Sequence, residues 1–478
     1  MRQHASRGAL LACAVLASCA SSTDGGATTM RTDVCVVGGG SAGIGAAVGA
    51  ARAGADVVLV EKLGRLGGTS ANAYVNNWEP GPDCPLVREI YGRMSKIPDA
   101  VAIVADHNPD RKLGPFGLWL PKPGSRYEQT LARSGRPRSD WRACTWEPDA
   151  FHQVVTTILA ETRRCRVLLR TAFTEADADG RRVRAIRAEA ADGTAFRIEA
   201  NVFIDCTGGG FLCRAVGCEA MLGPDPRSRF NEPFAPDEPE PMLNAISLCY
   251  RIRRAERPRR QAPPDPMPRG WQRVAHVSGL PCGDRIVNPL ALIPGRMLVE
   301  RGHDATLAEG RRRVQAHWHW LQGHEAFAGF ELHSIAPMLG IRESYRILGQ
   351  HVLTQHDLMA GLSRQKHADI IAIADHSMDV HGSGGHRIRG ELKQPYGIPF
   401  RCLIPKGWAN LMVAGRCASF SQIAASSCRL NRTMTALGLA AGCGAAQAAA
   451  SGRPVAEVDV TAFQPSLGLP ASAAHPGH

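Results

Sequence analysis

The 478-residue sequence predicts an α/β fold, a mainly parallel sheet interrupted by a second domain of mixed α+β structure. Three observations predict it. The apolar run Val34 to Val37 enters a glycine-rich turn and then an alanine-rich helix. A second run, Val57 to Val60, ends on an acid, and runs of the same kind recur around Phe203 and Met412. Continuous apolar runs this short suit strands buried on both faces.

The first element in order is a processing segment, residues 1–29. Arg2 and Arg7 precede "GALLACAVLA", which leads into Leu16-Ala17-Ser18-Cys19. That tetrapeptide resembles a bacterial lipobox, whose Cys is lipidated after cleavage, and "SSTDGGATT" beyond it reads as a polar tether. The apolar run is too short for a mature membrane span. The expectation is therefore an exported lipoprotein, touching the membrane only through that anchor. The amino end carries no Arg-Arg pair to mark export after folding, so a cofactor would have to be acquired outside the cytoplasm. A cytoplasmic protein starting at Met30 is the alternative.

Next comes "DVCVVGGGSAGIGAAVGAARAGADVVLVEK", residues 33–62. Gly38 permits the tight turn, Gly40 lets backbone approach a pyrophosphate, and Gly43 lets the helix pack on the strand. Ser41 and Ala42 open that helix, so their N–H groups and its dipole face the phosphates. Glu61, about twenty residues on, stands where a ribose hydroxyl needs an acceptor, with Lys62 beside it. Strand, turn, helix, strand and acid in register predict a Rossmann-type dinucleotide site. NAD or FAD is left open at this point.

Gly67-Gly68-Thr69 form a second glycine turn, which an NAD-only half does not need. The placement resembles flavoproteins of the glutathione-reductase-like fold, where a segment here runs along the pyrophosphate. Residues 79–144, rich in Pro, Gly and Arg, read as an irregular insertion. In "EPDAFHQVVTTILAETRR", Pro148 suits the first helical turn, and Phe151, Val154, Val155, Ile158 and Leu159 share one face. A strand at 167–169 follows, then Phe173, counted with the cofactor-binding residues, and a hairpin through an Asp-Gly turn. Asp205-Cys206-Thr207-Gly208 closes a further strand and brings backbone back to the dinucleotide. Reading "TGGGFLCRAVG" as an NADPH turn fails on its third glycine, since Cys213 stands there.

Two later stretches are the most specific. One is "MLGIRESYRILGQHVLTQHDL", residues 338–358; the other is "YGIPFRCLIPKGWANLMVAGRCASFSQIAASSCRLNRTMTALGLAAG", residues 396–442. With Asp379-Val380-His381-Gly382, they make the chain resemble the bacterial FAD-dependent oxidoreductase family, over residues 32–460 and in order. The resemblance implies FAD as cofactor and a split nucleotide domain, 30–82, 145–222 and 400–452. An insertion at 83–144, an interrupting substrate domain at 223–399 and a tail at 453–478 complete the organisation. The residues agree with it. "NLMVAGR" reads as one more buried strand ending at Gly415-Arg416, where Arg416 can add charge to the phosphates. Gly438, Leu439 and Ala440 lie on a small-faced helix expected to press against the cofactor, its dipole favouring negative charge on a reduced flavin. The family's acidic TGDGDL is Thr207-Gly208-Gly209-Gly210-Phe211-Leu212 here, which puts in doubt the contacts the acids at Gly209 and Phe211 would make.

A flavin oxidoreductase needs a base for the departing proton and cations to hold substrate. Arg342 and Arg346, four apart, would converge on one anion if helical; a buried Arg–Glu pair with Glu343 is the other possibility. Asp379 and His381 fall on one side of an extended segment, an acid orienting an imidazole base. Arg429 can clamp a carboxylate. The expected function is hydride transfer between a small organic substrate and flavin N5, the electron acceptor being unknown. Two alternatives stand beside it, an electron-transfer subunit related to the heterodisulfide reductase flavoprotein subunit and a non-catalytic binder keeping the fold.

Composition excludes other classes. Net charge is +12, yet only 7 of the 56 basic residues are Lys. The one dense basic stretch, 251–270, is proline-studded without interleaved aromatics, so it reads as a poorly ordered loop and no nucleic-acid partner is expected. The 15 cysteines include no CxxC, and "HWHW" at 317–320 lacks a matched third ligand, so no metal is assigned.

Overall fold

The computed structural model describes residues 21–24, 26–79, 83–105, 117–134, 141–239, 242–271, 273–381 and 387–470. The Leu16–Cys19 lipobox and Gly382 lie outside them. A sheet of eight strands forms the scaffold. Its centre is β1 (Ala27–Val37), followed by α1 (Ser41–Arg52) and β2 (Val57–Val60). Then come α2 (Pro148–Glu161), β3 (Cys165–Leu168), β4 (Thr171–Asp179), β5 (Arg182–Ala190), β6 (Ala195–Asp205) and, far along the chain, β7 (Leu411–Val413) and α3 (Asn431–Ser451).

The order is β3-β2-β1-β6-β5-β4, with β7 against the end of β6. Strands β3, β2, β1, β6 and β7 run parallel, Val34 opposite Val57 and Val202 opposite Val34; β4, β5 and β6 form an antiparallel meander. Val34, Cys35 and Val36 are fully buried, as continuous apolar runs in a two-sided sheet require. The turns after β1, β2, β6 and β7 all open at the carboxyl edge, the place where α/β sheets bind ligands.

Strand β1 starts at Ala27, and Ser21–Asp24 folds back antiparallel on Ala27–Met30. The stretch expected to be a tether is therefore largely sheet, and Thr28 and Thr29 pair with Phe196 and Arg197. The insertion is also ordered where described. Its helix Pro85–Met94 buries Leu86, Val87, Ile90 and Met94, and Asn77–Trp78, Val101–Ala105, Gly117–Trp119 and Trp141–Trp146 form an antiparallel sheet. Trp146 stacks on Phe151 of α2 with centroids 5.3 Å apart, an anchor that composition does not disclose.

Helix α1 lies on α3 as well as on the sheet. A Cβ on Gly45 would stand 2.3 Å from Thr435 O, one on Gly49 2.3 Å from Leu439 O, and one on Gly438 1.9 Å from Ala42 O. Backbone meets backbone, so no side chain fits at these crossings.

A second core, drawn from Ile246, Leu248, Tyr250, Trp318, Phe327 and neighbours up to Leu339, belongs to the interrupting domain. It packs a four-stranded antiparallel sheet (His276–Gly279, Arg285–Asn288, Tyr250–Arg254, Phe330–Ile335) under Met297–Leu321, a helix broken at Gly302. Ile347, Leu353, Ile371, Tyr396 and Ile398 instead join the core of the first domain. Within the basic stretch, Arg251 is strand and pairs with Glu147 and Asp284; it is no loop residue. His317 of "HWHW" bonds Tyr250 Oη at 2.8 Å and Val274 O at 3.1 Å, a packed histidine. Among the described residues no helix is long and apolar enough to cross a membrane.

Candidate active site

The turns at the carboxyl edge and one wall of the interrupting domain enclose a cavity of about 1180 Å³. Gly38, Gly40, Ser41, Ala42, Glu61, Lys62, Gly68, Thr69, Phe173, Thr207, Gly208, Gly415 and Arg416, the residues expected to hold a dinucleotide, line it. Arg342, Asp379, His381 and Arg429, expected to meet substrate, line it too.

The first group is assembled by backbone. Gly38 takes φ +101°, and a Cβ there would stand 2.6 Å from Cys206 O, so β1 and β6 leave no room for one. Gly43 does not face the cavity; its hydrogen side meets Gly38 O, the close packing expected of it. Glu61 is buried and accepts from Gly39 N at 2.6 Å and Leu63 N at 2.7 Å. Burial raises its pKa and these N–H groups oppose that. Gly67 ties the second glycine turn to the first through its N–H to Gly39 O at 2.9 Å, while Gly68 and Thr69 face the cavity. Thr69 Oγ1 and Ser41 Oγ both approach Asn431 Oδ1, at 2.8 and 3.4 Å.

The turn after β6 survives without the family's acids. Asp205, wholly buried, accepts from Thr207 N at 3.0 Å and Cys213 N at 2.9 Å, and Thr207 Oγ1 accepts from Phe211 N at 2.9 Å. Phe211 is 53% exposed and lines the cavity.

Three placements differ from expectation. Gly438, Leu439 and Ala440 do not line the cavity; the small face of α3 is spent on Ala42 and Leu439's neighbours in α1. What α3 offers the cavity is its start, Leu430, Asn431 and Met434. Second, Arg342 and Arg346 part. The segment between them is irregular, not helical, and Arg346 sits in a short strand paired with Ala220–Met221. Arg346 is fully buried on Asp225 (2.9 Å), Glu343 (3.2 Å), Phe420 O and Gly223 O, a structural knot. Only Arg342 reaches the cavity. Third, the sequence did not single out Asn431, His376, Ser247 or Asn288, all cavity residues. An Asn opening the final helix was a signal for the first; the others carry none.

Met378–His381 is a strand, and its period brings Asp379 Oδ2 within 2.5 Å of His381 Nε2. Asn244 Oδ1 accepts from His381 N at 2.6 Å, and Ser426 Oγ from Asp379 N at 3.1 Å, so the pair is fixed to two neighbouring elements. Burial raises the Asp379 pKa, but His381 and Arg429 outweigh it and leave the carboxyl near 2. The Asp379 hydrogen bond raises the His381 pKa; burial, Arg342 and Arg429 together turn the net shift downward. The ring is therefore neutral at neutral pH, and an ionised Asp379 sets Nε2 as its donor nitrogen.

Among the described residues one group of ligand type, His351, Asp357 and His367, has its donor atoms within 4.8 Å. Asp357 there caps the helix Gln355–Ala360, and Arg401 donates to His367 Nδ1 at 3.3 Å, where a metal-bound histidine needs an acceptor.

FAD fits the cavity on two observations. A Cβ built on Gly40 points into open space, its nearest neighbour Gly68 Cα at 3.9 Å. Arg416 lies over Gly208 with no acidic partner among the described residues and its Nε buried and unbonded there, a cation awaiting an anion. Fold and site thus define a dinucleotide-binding flavoprotein.

The model of the FAD dependent oxidoreductase family matches residues 33–467, and the chain belongs to that family. FAD is its cofactor and it is an oxidoreductase acting on a small molecule. No curated protein sequence matches it. Among solved structures it is similar to a geranylgeranyl bacteriochlorophyll reductase-like protein from Thermoplasma acidophilum, at 12% identity and TM-score 0.44, covering 89% of this chain and 80% of that one. It is similar also to the flavin-dependent brominase Bmp2, at 13% identity and TM-score 0.41, covering 90% and 81%. The myxobacterial chondrochloren halogenase CndH follows at 12% and 0.38, covering 90% and 77%. Likeness at this level carries nothing about reaction or substrate.

Proposed function

We propose that the protein transfers hydride between a small organic substrate and the flavin, with His381 handling the accompanying proton. The observation that carries this is the Asp379–His381 pair, 2.5 Å apart on the wall of the cavity that accommodates the dinucleotide. Bound FAD supplies a two-electron acceptor at N5. Asp379 holds Nε2–H, which leaves the Nδ1 lone pair of His381 as the base for a substrate O–H proton; in the reverse direction the same nitrogen returns it. Gly38, Gly40, Ser41, Glu61, Thr207 and Arg416 would hold the dinucleotide. Anaerobic screening of sugars, hydroxy acids and steroids for flavin bleaching identifies a substrate. With it, His381→Ala should slow flavin reduction about a hundredfold or more at unchanged FAD content. An unaltered rate refutes the assignment.

A second proposal concerns location. The lipobox at Leu16–Cys19 supports export and anchoring through a lipid on Cys19. The hairpin begins at Ser21, so such a lipid would hold the domain close to the bilayer instead of at the end of a tether.

A further inference from the structure

We infer that Arg342 and Arg429 form a recognition site for a carboxylate group of the substrate, beside His381. This rests on the reading of the Asp379–His381 wall of the cavity as the place of substrate proton transfer and names the substrate class there, an organic monocarboxylate.

Arg342 is a guanidinium without an ion-pair partner among the described residues, Asp379 acting on it only at a distance. It is half-buried, lines the cavity, and spends one donor, Nη1, on Ala245 O at 2.8 Å. No ion pair engages its other nitrogens among the described residues. Its pKa is held down to about 10 by burial first and by the nearby Arg429 second. Arg429 is partly engaged: Nη2 donates to Asp379 O at 3.1 Å and lies 3.5 Å from Asp379 Oδ2, while its buried Nε has no partner. A guanidinium close enough to a second one to be depressed by it is a costly arrangement in a partly dry site.

The charge balance selects the ligand. Asp379 offsets one of the two cations, and His381 is neutral. Among Arg342, Arg429, Asp379 and His381 the remainder is a single positive charge, Glu343, which also acts on Arg429, being engaged by Arg346; a carboxylate neutralises that charge and a phosphate dianion overshoots it. Arginine's fork is also the geometry that takes a carboxylate through paired N–H donors. Ser247, whose buried hydroxyl has no partner, adds polarity to the same wall.

The test is a titration of the oxidised holoenzyme with benzoate and with acetate, each against its neutral amide, read from the flavin difference spectrum. The acids should bind at least tenfold more tightly than benzamide and acetamide. Arg342→Gln should weaken acid binding tenfold or more and erase the preference over the amide, whereas Arg342→Lys retains part of it. Arg429→Gln should weaken acid binding by a smaller factor, since Asp379 already offsets that charge. Amides binding as well as acids, an Arg342→Gln holoenzyme with wild-type benzoate affinity, or no spectral change with either acid would each overturn the proposal. His381→Ala separates this site from the proton-transfer reading, because benzoate affinity should persist there. A variant that keeps both benzoate affinity and wild-type flavin reduction removes the base and leaves the carboxylate site standing.

Discussion

Gly40→Val and Gly438→Ala are expected to fail in opposite ways, and the structure gives the size of each failure. At Gly40 the backbone is extended (φ −75°, ψ −170°), a conformation valine adopts, and the nearest protein atom to an added Cβ is 3.9 Å away. The protein tolerates the side chain; the space it fills is the approach to the pyrophosphate. Losing that approach should weaken FAD at least a hundredfold, about 2.7 kcal/mol, while the thermal midpoint of the cofactor-free protein stays within a degree or two. At Gly438 the added Cβ stands 1.9 Å from Ala42 O, well inside contact distance, so α1 and α3 must part by more than an ångström. Overpacking of that kind costs about 1–3 kcal/mol or more, and for a domain of this size that lowers the midpoint by roughly 5 °C. Flavin content comes from the absorbance ratio of purified protein, and stability from thermal unfolding after flavin removal. A yellow Gly40→Val protein with full flavin would refute the loop assignment. Gly438→Ala as stable as wild type would refute the backbone contact between the helices.

Other expectations follow from the same contacts. With neutral His381 as the proposed base and its pKa lowered, the ascending limb of flavin reduction should lie below the ordinary histidine value of about 6.5. Asp379→Asn removes the largest influence holding that pKa up, so the limb should move to still lower pH and the rate should fall less than in His381→Ala; a limb moving upward in a pH-jump series contradicts this. Arg346→Met leaves Asp225 and Glu343 buried without their cation and should cost roughly 3–5 kcal/mol, seen in urea unfolding as a lowered midpoint; a loss under 1 kcal/mol would show the knot to be dispensable. Cys19→Ser should shift the protein from the membrane to the soluble fraction, and an amino terminus at Met30 in the native protein would end the export proposal.

The sequence by itself determined the dinucleotide half of this protein, because everything needed there is local. A strand buried on both faces, a turn that tolerates no side chain and an acid one strand later are short-range demands, and Val34–Val37, Gly38, Gly43 and Glu61 meet them in order. The Asp379–His381 pair was legible for the same reason, period two along an extended segment. The ordered insertion was not, because its anchor is Trp146 on Phe151 of α2, a contact that composition hides behind Pro, Gly and Arg. Only the tertiary structure decided where the small face of α3 goes: glycine and alanine suit a cofactor or a helix equally well, and α1 with its own glycines takes the place. Only the tertiary structure decided, too, which arginine faces the cavity. Arg342 and Arg346 carry the same charge four residues apart, and the buried carboxylates of Asp225 and Glu343, one of them more than a hundred residues away along the chain, claim Arg346 and leave Arg342 to the cavity. Charge is written in the sequence, but its partner is set by what the fold brings within three ångströms.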